Sequence, residues 1–470
     1  MAPLGDTPGR KASPGTFYRK TEPNKRTPAL SHIEKSRGVV QFSYHLHELR
    51  HVCKRWKAII ESMPEFCSRM LIFIGSNATP FMRIETQILK SANCLLDVTV
   101  RSRGKVNREQ EMKRARAVMM LLTPIITRCR TFVFDVRHSS SLPVISKDFR
   151  GNAEHLRVLK LECEVDDGAR TPFYGVPEIP EGEEFKCPSL TTLAMDGITF
   201  MDACFVSWTK QFKSTYLDSL SIYGLSPQLI DDDTYEFNNM AFCGGLAEIG
   251  FIRHLTLDNL DILSDGVVQD QEHTWDNLTL IGNHPRMVED FLAITESDTP
   301  YCCYHLSDCD FDYSCSPAAH HLRLENITNV HRGTFVRALT LHRGSVLDII
   351  DCKELDDVNL EQIMRNCANL RRLSLIDCPR ITIDGLKNMV KVRNKLVENI
   401  HETSNDPRDY GRSNIYYAER YDGEVNAHLQ PRPLYKKIDR LLVENCCRSL
   451  TLSKADQSWF KTHVRHFSWN

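Results

Sequence analysis

The chain has 470 residues, of which 41% are hydrophobic and 26% are charged, so its composition excludes a disordered protein and allows a large buried core. A formal net charge of -2 excludes a global electrostatic attraction to nucleic acid or to an anionic membrane. The longest apolar run, Ala117 to Leu122, is far shorter than the roughly 18 residues of a membrane-spanning helix.

Residues 1–37 predict a disordered basic arm. The segment has eight Lys or Arg residues against three acids, five prolines and no periodic apolar pattern. It also lacks the apolar core of a signal peptide. We therefore expect a cytoplasmic or nuclear protein whose 17 cysteines are reduced, and which binds neither membrane nor nucleic acid. An import or nucleic-acid tail is the alternative interpretation of the arm.

The next segment, Leu46 to Ile60, predicts one amphipathic helix that Pro64 would end. Its apolar positions recur at spacings of three and four and are Leu46, Leu49, Val52, Cys53, Trp56, Ile59 and Ile60. Further on, Asp97 to Arg101 alternates like a short strand. Asn107 would then cap a helix with an apolar stripe from Met112 to Ile126. The pattern is a strand followed by a helix.

The segment from Val346 to Leu370 matches itself when it is shifted by 26 residues. Leu347 then falls on Leu373, and Cys352 falls on Cys378. A period of roughly 20–29 residues with Leu-x-x-Leu-x-Leu-x-x-Cys is typical of a leucine-rich repeat. Such units stack into an α/β solenoid with parallel strands on the concave face and helices on the convex face. We expect this repeat domain over residues 76–396.

Earlier units follow the same pattern at less regular spacing. Their strands are predicted at 156–161, 190–195, 217–222, 252–257 and 275–280, and later ones end at Leu306, Leu324, Ile349 and Leu375. The uneven spacing predicts inserted loops, for example 166–185 and 227–239. Residues 397–430 are polar and predict a loop, and 431–470 predict a capping segment in which Ser453 caps a helix.

The residues between the inward leucines are expected to face the concave side, where they would hold a target protein. The predicted target-binding residues are Lys160, Glu162, Asp196, Tyr223, His254, Asp258, Arg323, Glu325, Arg372 and Ile376. Their mixed chemistry does not identify the target.

One motif points to catalysis. His47 and His51 flank Glu48 in the His-Glu-x-x-His spacing that binds zinc in peptidases. The surrounding sequence does not support a zinc peptidase. Only 46 residues precede the motif, and no third histidine follows at the spacing found in metzincin peptidases.

Other metal and cofactor sites have weaker support. Asp308, Asp310 and Asp312 resemble the start of a calcium loop, but Tyr313 replaces its glycine and Ala319 its glutamate. A dense group of cysteines and histidines suggests a metal site, but the chain has no Cys-x-x-Cys pair. The members of this group are Cys302, Cys303, His305, Cys309, Cys315, His320 and His321. The chain has no phosphate-binding glycine loop. We expect no metal, no cofactor and no enzymatic activity.

The stretch from Leu49 to Cys67 resembles the second half of an F-box. It has the Val-Cys-basic-basic-Trp pattern at Val52 to Trp56 and a proline with an aromatic residue at Pro64 and Phe66. Ser91 to Val98 is similar to the strand that opens the repeat domain of a large fungal F-box-like family. The resemblance covers much of the chain. The first half of the box has no clear counterpart in residues 28–46, so we assign a partial F-box-like helical segment to residues 38–75.

The resemblance implies a substrate-recognition subunit of a Skp-cullin-F-box ubiquitin ligase. The box would bind the Skp adaptor and thereby the cullin complex, and the repeats would bind the target. By carry-over, the adaptor-binding residues are Leu49, Val52, Trp56, Ile60 and Pro64. A leucine-rich-repeat scaffold without a ubiquitin link is the alternative, in which the same residues only form a helical core.

Overall fold

The protein forms a single open sheet in this computed structural model. The structure describes residues 53–167, 184–213, 215–225, 239–262, 275–294, 303–309, 319–327, 339, 342, 344–403, 435–446 and 452–469. Within these residues, fourteen strands lie side by side in chain order. Each strand pairs in parallel with the next, so the first and last strands form the two edges. The predicted α/β class and parallel sheet are confirmed.

The strands are β1 (Arg69–Gly75), β2 (Leu96–Arg103), β3 (Cys129–His138), β4 (Val158–Val165), β5 (Thr192–Asp196), β6 (Tyr216–Leu225), β7 (Phe251–Leu260), β8 (Trp275–Ile281), β9 (Cys303–Ser307), β10 (His321–Glu325), β11 (Val346–Ile350), β12 (Arg372–Ile376), β13 (Arg440–Glu444) and β14 (His466–Trp469). The helices are α1 (Lys54–Ser62), α2 (Phe81–Lys90), α3 (Arg108–Leu122), α4 (Ile145–Asp148), α5 (Gly197–Phe205), α6 (Asn239–Ala247), α7 (Pro285–Ile294), α8 (Asp357–Asn366), α9 (Ile383–Thr403) and α10 (Lys454–His463).

The two faces of the sheet differ in exposure. In β11, Leu347 and Ile349 are fully buried, whereas Asp348 and Ile350 are partly exposed. This alternation follows from the two-residue period of a strand. Helices pack on the face with the buried leucines, for example α3 on β1 and β3, and α5 on β5 and β6. We call the other face, which carries the partly exposed positions, the open face.

The 26-residue self-match corresponds to a register in the sheet. Leu347 of β11 pairs with Leu373 of β12, and Ile349 pairs with Leu375. The same inward row continues into β13 at Leu441. The shift that aligns the sequence with itself therefore also aligns the strands in space.

Several strands are followed by a residue with a left-handed backbone conformation, and this residue forms a hydrogen bond to the next strand. Asp308, Asn326, Asp351 and Asp377 have φ values of 49° to 53°. Asn and Asp tolerate this conformation better than most residues. Their backbone N–H groups donate to carbonyl oxygens on the following strand, for example from Asp351 to Ile376 at 2.9 Å.

A buried thiol follows several of these turns. Cys309, Cys352, Cys378 and Cys446 are almost fully buried, and the Sγ of Cys446 donates to the carbonyl oxygen of Leu375 at 3.3 Å. The prediction that repeat cysteines are small buried groups is confirmed at these positions. Burial raises the pKa of Cys309 to about 11, so its thiol stays protonated near neutral pH.

The N-terminal part differs from the prediction in two respects. Cys53 has an extended backbone, and its Sγ accepts a hydrogen bond from the N–H of Trp56 at 3.4 Å, so α1 begins at Lys54. The prediction of one uninterrupted helix from Leu46 to Ile60 is therefore wrong. The sheet also begins earlier than predicted, because β1 lies within residues 38–75. Residues 1–52 lie outside the described residues.

The C-terminal part also differs. Helix α9 continues to Thr403, into the segment predicted as a loop from residue 397. The oxygen of Ser453 accepts from the N–H of Asp456 at 3.1 Å, which confirms the predicted cap. The helix that follows ends at His463, and the chain continues as β14 rather than as helix. Residues 404–434 lie outside the described residues.

One buried arginine joins the last helices to the last strands. Arg393 of α9 is 0% exposed. Its guanidinium donates to the carbonyl oxygens of Met364, Cys367, Ala368, Leu370 and Lys436, over distances of 2.6 to 3.1 Å. These carbonyl groups belong to the end of α8 and to the turns that lead into β12 and β13. Arg393 therefore fixes where β12 and β13 begin.

Candidate functional site

The parallel register gathers most of the predicted target-binding residues on the open face. Equivalent positions on neighbouring strands are about 4.8 Å apart. Eight of the ten are at least partly exposed. They are Lys160, Glu162, His254, Asp258, Arg323, Glu325, Arg372 and Ile376. Their role in binding stays a prediction.

Asp196 does not face the solvent, and its predicted exposure is wrong. The residue is 2% exposed and ends β5 directly before α5. Its Oδ1 accepts from the backbone N–H of Ile198 at 3.0 Å and of Thr199 at 3.1 Å. A carboxylate in this position satisfies the free N–H groups of the first helical turn. Asp196 therefore stabilises the strand-to-helix turn.

Tyr223 is buried as well, which corrects the second prediction. Its ring lies among the strands with only 9% of the residue exposed. The hydroxyl group donates a hydrogen bond to the carbonyl oxygen of Leu161 in β4, across β5. This contact links two strands that are not neighbours in the sheet. Tyr223 therefore helps to hold β4 and β6 together across β5.

A charged cluster lies on β9 and β10. Glu325 accepts from Arg323 at 2.7 Å and faces the Nε2 atom of His305 at 3.1 Å. Burial alone would raise the pKa of Glu325. The hydrogen bonds and charge of Arg323, and to a smaller extent those of His305, outweigh burial and hold the pKa below its ordinary value. Burial and then the charge of Arg323 lower the pKa of His305. The cluster therefore presents an ionised carboxylate at neutral pH.

The adjacent strands β10 and β11 carry a second pair. The Nε2 atom of His321 lies 2.7 Å from Oδ2 of Asp348. Burial alone would raise the pKa of Asp348, and hydrogen bonds from His321 and Ser374 outweigh it, so the pKa is lowered. Asp348 was not among the predicted residues, although it lies in the same row of the open face as Arg323. The alternation around it, Leu347-Asp348-Ile349, is the signal that could have identified it.

A third cluster lies near the N-terminal end of the sheet. The Nε atom of Arg101 is 3.0 Å from Oδ2 of Asp135, whose side chain is 29% exposed. Asp135 is in register with Glu162, which lies 3.9 Å from the Nζ of Lys160. Burial raises the pKa of Asp135 to about 6; Arg101 opposes this effect, and Glu162 and Glu164 add to it. This part of the open face holds a carboxyl group that titrates close to neutral pH.

Of the predicted adaptor-binding residues, Trp56 and Pro64 lie at the opposite edge of the sheet from β14. Helix α1 packs on the 3-10 helix Pro64–Cys67, which packs on β1 and α2. Trp56 is 46% exposed, and Ile59 and Met63 are exposed to a similar extent. Pro64 is half-buried and begins the 3-10 helix. Leu49 and Val52, and the side chain of Ile60, lie outside what the structure describes.

The helix α1 therefore presents an apolar surface beside the first strand. Large apolar side chains that are exposed together are unusual on a monomeric surface and often mark a contact site.

The chain was also compared with known proteins. No protein-family model matches it, and no curated protein matches it.

Within the described residues, no group of three or more His, Cys, Asp or Glu side chains is placed to hold a metal ion. In the same part of the chain, no helix is both long and apolar enough to cross a bilayer. The motif from His47 to His51, and the residues Cys302 and Cys315, lie outside the described residues.

Proposed function

We propose that the protein is a leucine-rich-repeat substrate-recognition subunit of a Skp-cullin-F-box ubiquitin ligase. In this proposal α1 contributes to the contact with the adaptor, and the open face of the sheet binds the target protein. The observation that carries the proposal is the exposure of Trp56 on a helix that directly precedes the first strand. This tryptophan belongs to the Val-Cys-basic-basic-Trp pattern that resembles an F-box.

The repeat architecture is supported by its recurring turn chemistry. A short strand, a left-handed Asp or Asn, and a buried Cys recur at Asp351 with Cys352 and at Asp377 with Cys378. A helix follows each of these units, α8 after the first and α9 after the second. Because a single unit cannot bury its own apolar face, the stacked units share one core. A solenoid of this kind presents a long face of mixed charge, which suits a protein target.

The exposure of Trp56 favours a docking role over a purely structural one. A helix whose only task was to cover the edge of the core would bury its largest apolar side chain. Instead Trp56, Ile59 and Met63 leave more than two fifths of their surface in solvent. Tryptophan is enriched at positions that dominate binding energy.

Co-purification with the Skp adaptor tests the proposal. We expect the full chain to capture purified adaptor and Trp56→Ala to lose at least tenfold in affinity, because a buried interface tryptophan often contributes more than about 2 kcal/mol. Met120→Ala and Val358→Ala are matched controls, since both side chains are apolar and highly exposed on other helices. A folded chain that captures no adaptor would refute the ligase proposal.

The second candidate is a repeat scaffold without a ubiquitin link. The observation that favours it is the set of paired charges on the open face, which exists independently of α1. It predicts that partners recovered with the full chain include no adaptor and that Trp56→Ala leaves them unchanged. Quantitative mass spectrometry of the two pull-downs separates the candidates.

A further inference from the structure

The last three strands carry a row of basic side chains, two arginines and a histidine, on the open face. Arg372 of β12 is in register with Arg440 of β13, and Arg440 is in register with His466 of β14. All three residues are exposed. The registered positions are about 4.8 Å apart, so both guanidinium groups can reach one ligand group. We call Arg372, Arg440 and His466 the cationic row.

These arginines differ from the other charged residues of the open face. Arg101 pairs with Asp135, and Arg323 pairs with Glu325. Among the described residues, no carboxylate lies within 4.0 Å of the guanidinium of Arg372 or of Arg440. Further exposed cations lie close by in the sequence, at Arg371, Lys436, Lys437 and Arg465. Arg372 and Arg440 are on adjacent strands and repel each other, so an anion bound between them lowers the energy of the row.

An apolar strip lies beside the cationic row. Ile376 of β12 and Leu442 of β13 are half-buried on the open face, and Ile350 of β11 is in register with Ile376. A distance of two to four strand positions, roughly 7–13 Å, separates the strip from the row. An extended peptide spans this distance with a few residues. The surface therefore offers both cationic and apolar contacts to one short segment.

The surroundings favour a peptide over a nucleic acid. Glu444 lies on the same strand as Arg440, and Asp348 lies on the strand next to β12. A phosphate backbone that continued past the row would meet these carboxylates and be repelled. The formal net charge of -2 provides no wider attraction. A segment with two or three acids and apolar side chains fits the pattern better.

We propose that the open face over β12 to β14 binds an extended acidic segment of a partner protein. Aspartate or glutamate carboxylates of that segment bind Arg372 and Arg440, and its apolar side chains contact Ile376 and Leu442. A guanidinium binds a carboxylate through two parallel hydrogen bonds, which fixes the position of the segment as well as its charge. The inference rests on the proposed role of the open face in target binding, and it is independent of the link to the ubiquitin ligase.

Fluorescence anisotropy with defined peptides tests this site. The probe is a labelled heptapeptide of alternating glutamate and leucine, and the comparison peptide has glutamine at each glutamate. We expect the full chain to bind the glutamate peptide at least tenfold more tightly than the glutamine peptide. The difference should shrink as sodium chloride is raised, because exposed charges are screened.

The decisive variant is the double substitution Arg372→Gln with Arg440→Gln. We expect at least a tenfold loss of affinity for the glutamate peptide. The matched control is Arg365→Gln with Arg380→Gln, which removes the same charge from exposed positions outside the row. The control should bind as the unchanged chain does. Equal losses in both variants would show a general charge effect and overturn the proposal.

Two further probes exclude other ligands. A single-stranded RNA of twenty uridines should bind less tightly than the glutamate peptide, because its backbone would meet Glu444 and Asp348. If the RNA, or a heptapeptide with phosphoserine in place of glutamate, binds tenfold more tightly than the glutamate peptide and depends on Arg372, the stated chemistry is wrong. Hydrogen exchange on the bound chain supplies a readout that does not need the variants to fold. Protection should appear in β12 to β14, and protection confined to other strands contradicts the site.

The adaptor experiment distinguishes the two proposals. A chain that captures the adaptor but not the acidic peptide retains the proposed function and loses only this site. A chain that binds the peptide through the cationic row but captures no adaptor retains the site and loses the ligase role.

Discussion

The contacts of Arg393 give the sharpest prediction for stability. The substitution Arg393→Met keeps an unbranched side chain of moderate length and removes all of the donors that bind the five carbonyl oxygens described above. Hydrogen bonds to a charged group contribute about 1.5–3 kcal/mol each. Three of the five contacts share the two N–H groups of Nη2, so the set counts as about four bonds with a gross loss of about 6–12 kcal/mol, which the cost of burying the guanidinium offsets by several kcal/mol.

We therefore expect Arg393→Met to lower the free energy of unfolding by about 3–5 kcal/mol. Urea denaturation measures the total. Hydrogen exchange locates it, because in a repeat structure the loss should open the neighbouring units first. Protection should fall in residues 364–370 and 435–446 before it falls in β2 to β6.

Two variants sharpen the result. Arg393→Lys should lose nearly as much as Arg393→Met, since one ammonium group cannot reach carbonyl oxygens that the fork of the guanidinium binds in several directions. Arg365→Met is the matched control, because Arg365 is exposed on α8 and its pair with Glu361 should contribute less than about 0.5 kcal/mol. A loss below about 1 kcal/mol in Arg393→Met, or a uniform loss of protection, would refute the reasoning.

Two other residues give testable outcomes. Asp196→Ala should cost about 1–2 kcal/mol in urea denaturation because it removes the cap of α5, whereas Asp196→Asn should restore most of that stability; equal losses would contradict the cap. Asp135 is expected to make stability depend on pH. Its pKa is raised to about 6 in the folded chain, so the stability it contributes at acidic pH is lost as the pH rises from about 4 to 6. Relative to Asp135→Asn, the natural chain should lose about 1–3 kcal/mol of its free energy of unfolding over this interval. A constant difference in Tm between the two chains from pH 4 to pH 7 would show that the carboxyl does not titrate as stated.

The strands that the sequence predicts are those with one polar and one apolar face. From β4 to β12 the buried leucines alternate with polar residues, so a two-residue period is visible in the chain. In β1 the open-face positions are Leu71 and Phe73, and the run Met70 to Ile74 is apolar on both faces. A continuous apolar run has no period, and this is the physical reason that β1 was missed. The same applies to Phe132 to Phe134 in β3.

The site was predictable only where exposure follows from strand alternation. Arg323 and Glu325 follow that rule, whereas Asp196 breaks it because a helix begins at the next residue. The sequence Asp196-Gly197-Ile198-Thr199 is a recognisable helix start, and it is the signal that Asp196 caps a helix. Tyr223 had no such signal. Its partner, the carbonyl of Leu161, is distant along the chain and is reached only after β4, β5 and β6 are assembled.

The cationic row depends on the buried Arg393. Two guanidinium charges at the strand spacing of about 5 Å would repel by about 1 kcal/mol in a fully hydrated setting and by more where water is partly excluded. The strands that carry Arg372 and Arg440 must therefore be held in register by other contacts. Arg393 provides them, because its guanidinium binds the carbonyl of Leu370, two residues before Arg372, and that of Lys436, four residues before Arg440. A buried cation therefore helps to fix the position of two exposed ones, as the proposed acidic ligand would require.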